Sequence, residues 1–189
     1  MPKIYLASRS PRRGELLQQI GVSFVVLPSD IDESVLPNEA AEVYVQRLAQ
    51  EKAEACLQMI AAQGLAPLPV LAADTTVCVN GNILGKPEDD TDAAAMLQAM
   101  SGNWHEVHTA IALAAHGEIA VKLSTTKVQM AALSEAEIAV YVTSGEYKDK
   151  AGAYGIQGLA GGFISRIEGS YSGVMGLPLF ETAELLKRL

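Results

Sequence analysis

Apolar residues follow two spacings along this chain, and the switches between them mark out its elements. A short continuous run, Ile4, Tyr5 and Leu6, predicts a buried strand over residues 3–8. Ser10 and Pro11 then make a helix start, a hydroxyl N-cap followed by proline at the first helical position. Leu16, Leu17 and Ile20 give that helix its apolar stripe, and Gly21 closes it. Residues 23–27 read as the next strand and 30–37 as an acidic, irregular stretch. Over 39–60 the pattern is helical, with Val43, Leu48, Ala55 and Ile60 expected to face inward.

Residues 69–79 are nearly all apolar apart from Asp74, Thr75 and Thr76, and read as a central strand. Asn80-Gly81 is a two-residue hairpin signal, with the return through Ile83 and Leu84. A helix follows over 92–100 and ends near Gly102. Residues 108–115 and 119–132 read as a long hairpin turning at His116-Gly117. Ser134 and Glu137 form a capping box for a helix that ends at Gly145. A glycine-rich passage over 152–162 leads to a strand at 163–167, and Pro178 opens a last helix to residue 189. The mixture predicts α/β architecture with a mixed twisted sheet flanked by helices. The length, 189 residues, suits one domain over 1–189, or one body with two lobes around a cleft.

Charge narrows the classes of partner. With 14 Lys and Arg against 22 Asp and Glu, the net charge is -8, so a polynucleotide backbone is repelled and nucleic-acid binding is disfavoured. A small anion can still bind if a few cations converge in one cleft. Cys56 and Cys78 are the only cysteines and form no C-x-x-C pair, which with three histidines argues against a zinc site. Two reduced thiols, no signal-peptide core and no apolar run of membrane length give the expectation of a cytoplasmic protein without membrane contact.

Four groups of residues carry chemistry. In Ser8-Arg9-Ser10-Pro11-Arg12-Arg13 a strand gives way to a helix. Free N–H groups and the dipole favour an anion there, whereas arginine works against the dipole unless an anion is present. The alternative is two solvated arginines behind an ordinary cap. Asp74 sits in the middle of an apolar strand, where a carboxylate is costly unless paired, metal-bound or facing a cleft. Burial would raise its pKa toward that of a general base, against the alternative of a structural Asp. Glu33, Lys52 and Lys86 are isolated charges. Converged, Glu33 and Asp74 offer hard oxygen ligands and the lysines neutralise phosphoryl oxygens; singly, each reads as a surface residue. In Ala153-Tyr154-Gly155-Ile156-Gln157-Gly158 an amide able to donate and accept is flanked by glycines. It suits the edge of a base, or is a tight loop whose glycines permit positive φ.

Taken together these stretches resemble the Maf family of nucleotide pyrophosphatases along nearly the whole chain. The resemblance rests on residues 6–13, Glu33, Arg47-Leu48-Ala49 with Lys52-Ala53, and Ala73-Asp74-Thr75. It continues through Gly85-Lys86-Pro87, His108-Thr109, residues 150–158 and Gly176-Leu177-Pro178. It implies an α/β body similar to inosine triphosphate pyrophosphatases, with a cleft between two lobes. It also implies a small-molecule nucleotide substrate, hydrolysis to monophosphate and pyrophosphate, a divalent cation such as Mg²⁺ or Mn²⁺, and a homodimer. Asp74 takes the place of the proton acceptor. Arg12, Thr75 and Gln157 match the dTTP/UTP branch, where a 7-methyl-GTP branch carries Trp, Gln and Glu. Ser8, Arg12 and Arg13 then hold the triphosphate, Glu33 and Asp74 the metal or water, and Lys52 and Lys86 the developing charge. Two other readings stay open: a nucleotide-binding regulator of cell division without turnover, and a broad pyrophosphatase for modified nucleotides.

Overall fold

The computed structural model describes residues 3–189, so residues 1–2 of the expected domain lie outside the described residues. Seven strands form one sheet: β1 (Ile4–Ala7), β2 (Phe24–Val26), β3 (Val70–Val79), β4 (Asn82–Leu84), β5 (Trp104–Ala115), β6 (Glu118–Met130) and β7 (Ile164–Glu168). The order is β2-β1-β3-β5-β6-β7, with β4 also on β3. β1 runs parallel to β2 and β3, and the remaining pairs are antiparallel. The helices are α1 (Pro11–Gln19), α2 (Ala41–Ala62), α3 (Asp90–Met100), α4 (Glu135–Thr143), α5 (Tyr171–Val174) and α6 (Leu179–Leu186).

One irregularity of the sheet positions the candidate site. β5 lines one edge of β3 from Val70 to Cys78. On the other edge β1 leaves after Ala72, and β4 joins only at Val77. The four residues between, 73–76, therefore have an open edge, and the chain leaving β1 and the chain leaving β4 diverge around it.

The strands alternate between two cores. On one face Tyr5, Ala72, Ala110, Ala112 and Ala114 pack against α2. Small side chains on the strands let the helix lie close, and Leu27, Ile31, Leu65 and Leu68 from the flanking loops complete the cover. Its buried positions, among them Val45, Leu48, Ala49, Lys52, Ala53 and Cys56, recur at spacings of three and four. On the other face Leu6, Leu71, Val77, Val107 and Ile111 join side chains of α1, α3, α4 and α6.

Most predicted elements are present, including the capping box at Ser134 and Glu137. Four differ. Val43 is 56% exposed, because it lies off the 45–48–52–56 stripe that contacts the sheet. α3 begins at Asp90, two residues before the expected 92, because the Asp89 side chain accepts the Asp92 N–H as its cap. β5 extends back to Trp104, held by pairing with β6 rather than by its own alternation. α6 stops at Leu186, short of the expected 189.

Candidate active site

The open edge of β3 is one wall of a cleft of about 830 Å³. Ser8, Arg12, Arg13, Glu33, Lys52, Asp74, Thr75, Lys86 and Gln157 all line it, so the structure brings every sequence-predicted site residue into one place. Six cations of the chain line the cleft, the four just named at 12, 13, 52 and 86 together with Arg9 and Lys150. Five carboxylates line it too, at 30, 33, 74, 146 and 149, so the cleft is close to charge balance where the whole chain carries -8.

Alternation along β3 sends Asp74 and Thr75 in opposite directions. Asp74 points to the α2 face, where Lys52 stands in the buried stripe of that helix. Lys52 Nζ lies 2.6 Å from Asp74 Oδ1 and 2.7 Å from Glu33 Oε1. One ammonium therefore joins a strand carboxylate to a loop carboxylate. Lys86 Nζ approaches Glu33 Oε2 at 3.9 Å from the other side, on a side chain that is 60% exposed. The Lys86 loop is tied down by Gly152 N, which donates to Gly85 O.

Thr75 faces the other way, toward Arg13. Arg13 Nη2 donates to Thr75 Oγ1 at 3.1 Å, Nη1 to Ala73 O and Ser8 Oγ, and Nε to Gly176 O. Four of its five N–H groups are engaged, one of them on a carbonyl of the open β3 edge. Arg13 bolts α1 to β3 and to the α5–α6 connection, which leaves one N–H and the charge for a ligand. Gly176 is required at that seat. Its φ is +111°, and a Cβ would stand 3.4 Å from Arg13 Nε. Thr75 is in turn bonded to Thr109 Oγ1, which donates to Gly173 O. Its hydroxyl is therefore a partner of Arg13 rather than an open group.

Ser8 Oγ accepts from Arg13 and from Ser10 N, which leaves its own O–H to donate. Ser10 is the N-cap of α1 but makes no side-chain cap bond, and no acidic residue lies in the first turn. The leading N–H groups of α1 are left without those partners, beside Arg12.

Electrostatics separates the two carboxylates. Burial pushes the Asp74 carboxyl above its usual range, against the opposing charges of Lys52 and Arg13. Desolvation acts the same way on Glu33, but the Lys52 hydrogen bond and charge, with Lys86 and Arg13 behind them, outweigh it and hold Glu33 low. Burial also lowers the Arg13 guanidinium. Tyr44 is pushed up to about 12, first by burial and then by the charges of Asp74 and Glu33.

The Glu33 loop is anchored from α2. Tyr44 donates its hydroxyl to Glu33 O at 2.8 Å, and Arg47 donates to Ser34 O at 3.0 Å. Arg47 also grips Glu39 through two bonds and lies 5.6 Å over the Tyr44 ring. Sequence reasoning quoted Arg47 but gave it no role, and gave none to Lys150, Thr109 or Glu146. Arg47 is separated from its loop partners by 8 and 13 residues, so only the fold makes the clamp visible.

The donor set suits a hard divalent cation. Glu33 and Asp74 are two carboxylates drawn together on one ammonium, and Asp74 Oδ2 carries no hydrogen bond from a described residue. Elsewhere, among the described residues, one trio of ligand types lies close enough to share an ion. It comprises Glu42, Glu106 and His108, with ligand atoms within 4.8 Å of one another. None of the three lines the cleft, and His108 Nδ1 is bonded to Thr125 Oγ1. No helix of the described residues is long and apolar enough to cross a membrane.

Comparison with known proteins gives the family. The sequence profile of the family described as Maf-like protein matches residues 3–189, and this chain belongs to that family. A protein of Methylobacillus flagellatus named dTTP/UTP pyrophosphatase is 68% identical over 187 residues, covering 99% of this chain and 92% of its own. A protein of the same name from Chromobacterium violaceum is 55% identical over 184 residues, covering 97% of this chain and 93% of its own. Among solved structures, the Staphylococcus aureus Ham1 protein aligns over 68% of this chain and 72% of its own, at 16% identity and a TM-score of 0.49.

Proposed function

We propose that this protein hydrolyses the pyrimidine nucleoside triphosphates dTTP and UTP to the monophosphate and pyrophosphate. The observation that carries the reading is the buried Lys52 ammonium joining Asp74 to Glu33 on the wall of a cation-lined cleft. Relatives spanning almost the whole chain bear the name of that activity. That name denotes turnover, which disfavours a regulator without it.

Ser8, Arg12 and the start of α1 hold the triphosphate, with the remaining Arg13 donor behind them. Asp74 takes a proton from water as it attacks phosphorus, helped by the raised pKa that burial gives it. Lys52 and Lys86 stabilise charge that grows on the phosphoryl oxygens. Gln157, on the lining of the cleft, reads the base. Glu33 and Asp74 would hold Mg²⁺ or Mn²⁺, which supplies charge neutralisation at the phosphates when bound. Two unpaired thiols, Cys56 and Cys78, fit a reducing, cytoplasmic setting. Assembly as a homodimer belongs to the same reading.

The test is a turnover panel of dTTP, UTP, CTP, GTP and 7-methyl-GTP with Mg²⁺ or Mn²⁺, with pyrophosphate and monophosphate both measured. Release of pyrophosphate from dTTP and UTP ahead of the others is expected. Tight binding of dTTP with no pyrophosphate released would overturn the reading in favour of a sensor.

A further inference from the structure

Gln157 sits in a turn whose construction involves a residue outside the mechanism above. Gly158 N donates to Gly155 O at 3.1 Å, which closes a four-residue turn with Ile156 and Gln157 at its centre. Ile156 is buried at 9% exposure, while Gln157 is exposed along the cleft. Immediately beyond, the chain enters a short helical turn, Leu159–Phe163, whose first N–H groups need acceptors.

Glu146 supplies them. Its Oε2 accepts Leu159 N at 2.8 Å, and its Oε1 accepts Ala160 N at 3.4 Å and the Tyr141 hydroxyl at 3.3 Å. On the other side of the turn, the Lys150 ammonium donates to the Glu146 carbonyl, which lays its stem along Gly155. A Cβ on Gly158 would stand 2.3 Å from Glu146 Oε2, and one on Gly155 would stand 2.8 Å from Lys150 Cε. Gly158 has φ -108°, so it is not there to permit a left-handed backbone. These two glycines allow close approach, and Glu146 and Lys150 occupy the space their side chains would take.

We infer that Glu146 is a positioning residue for the Gln157 turn, and through it a determinant of base choice. The inference rests on the reading of Gln157 proposed above. A side-chain amide selects a base only while its donor and acceptor point along the partner's hydrogen bonds, so the turn that carries it must be fixed. Glu146 fixes it through backbone N–H groups while its own carboxylate stays engaged.

Folded Glu146→Gln, Glu146→Ala, Gly158→Ala and Gln157→Ala should be compared with the parent. kcat and KM are measured separately on dTTP and GTP, beside circular dichroism and melting. Gln157→Ala should cut the preference for dTTP over GTP about tenfold, as loss of a reading hydrogen bond does. Glu146→Ala and Gly158→Ala should reproduce most of that loss through a higher KM for dTTP. Glu146→Gln, which keeps one acceptor for Leu159 N, should fall between. An unchanged preference in Glu146→Ala and Gly158→Ala, or an equal fall on both nucleotides, overturns the inference if Gln157→Ala has lost the preference. An unchanged preference in Gln157→Ala itself overturns the reading of Gln157 instead. If Glu146→Ala does not fold, Glu146→Gln and Gly158→Ala decide.

Discussion

Asp74 Oδ1 lies 2.6 Å from Lys52 Nζ, and the two side chains are only 10% and 11% exposed. A buried pair of this kind holds opposite charges whose separate desolvation costs are large, so removing one partner strands the other. The pair therefore couples stability to chemistry, and mutations on its two sides should differ. Asp74→Asn keeps the size and a hydrogen bond to the ammonium but removes the base. Turnover on dTTP should fall at least about a hundredfold, the lower range for losing general base catalysis. Steady-state kinetics on a variant shown to be folded by circular dichroism checks this. Near-parental turnover would make Asp74 structural.

The two lysines should part company. From sequence, Lys52 and Lys86 look alike, and both would be expected to leave melting untouched when cut to Ala. The structure separates them, since Lys52 is inside the α2 stripe and Lys86 is 60% exposed. Lys52→Ala leaves Asp74 buried without its partner and should cost about 3 kcal/mol or more of stability as well as turnover. Lys86→Ala should lower turnover with melting close to the parent. Thermal melts beside kinetics on both variants test the contrast, and equal melting would sink it.

The way each residue reached the site explains what was legible beforehand. β3 and its hairpin announced themselves as an apolar run ending at Asn80-Gly81, and Asp74 stood out by being charged inside it. From sequence Lys52 is an isolated charge; its place on the buried stripe 45, 48, 49, 52, 53 and 56 emerges only in the structure, since a lysine is by default assigned to solvent. Val43 was misplaced for the opposite reason, an apolar residue assigned inward off the stripe. The Arg13 bolt was out of reach, since its partners at 8, 73, 75 and 176 converge only once strand pairing sets the open edge of β3. Glu146 leaves no sequence signature because its hold on the Gln157 turn is through backbone N–H groups.

Acid should weaken the fold through His105. This side chain is buried, pairs Nε2 with the Tyr154 hydroxyl at 2.7 Å and leaves Nδ1 without a partner. Burial lowers its pKa from 6.5 to about 4. The unfolded chain thus takes up the proton first as pH falls. Its contribution to stability is complete above about 6.5 and is lost progressively down to about 4. The loss over that window is on the order of 3 kcal/mol by linkage. Carboxylates such as Glu39, held near 2 by the hydrogen bond from Arg47, add their own acid sensitivity at lower pH. The difference between parent and His105→Gln isolates the histidine: between pH 7 and 4.5 the parent's melting temperature should fall further than the variant's. Parallel curves would remove His105 from the account.

The geometry of the cleft changes how base choice must be tested. Uracil and thymine present two carbonyl acceptors around one N–H donor, and a Gln amide can pair with part of that edge by offering one of each. An ionised Glu at 157 could only accept, which suits a purine carrying N–H groups. Arg12 in the first turn of α1 offers charge to phosphate, where an aromatic side chain would offer a stacking face to a cationic base. The parent should therefore prefer dTTP and UTP over GTP and 7-methyl-GTP by at least about tenfold, since one well-placed hydrogen bond is worth roughly 1 kcal/mol or more. Gln157→Glu combined with Arg12→Trp should erode that preference more than it lowers total hydrolysis. Thr75 does not belong in the same swap, because its hydroxyl accepts from Arg13 at 3.1 Å and is bonded to Thr109. Adding Thr75→Gln should loosen the Arg13 bolt and depress turnover on every nucleotide alike. A panel of the parent, double and triple variants on dTTP, UTP, GTP and 7-methyl-GTP distinguishes the two effects. If the parent hydrolyses 7-methyl-GTP best, Gln157 and Arg12 do not read the base in this way and the pyrimidine assignment fails.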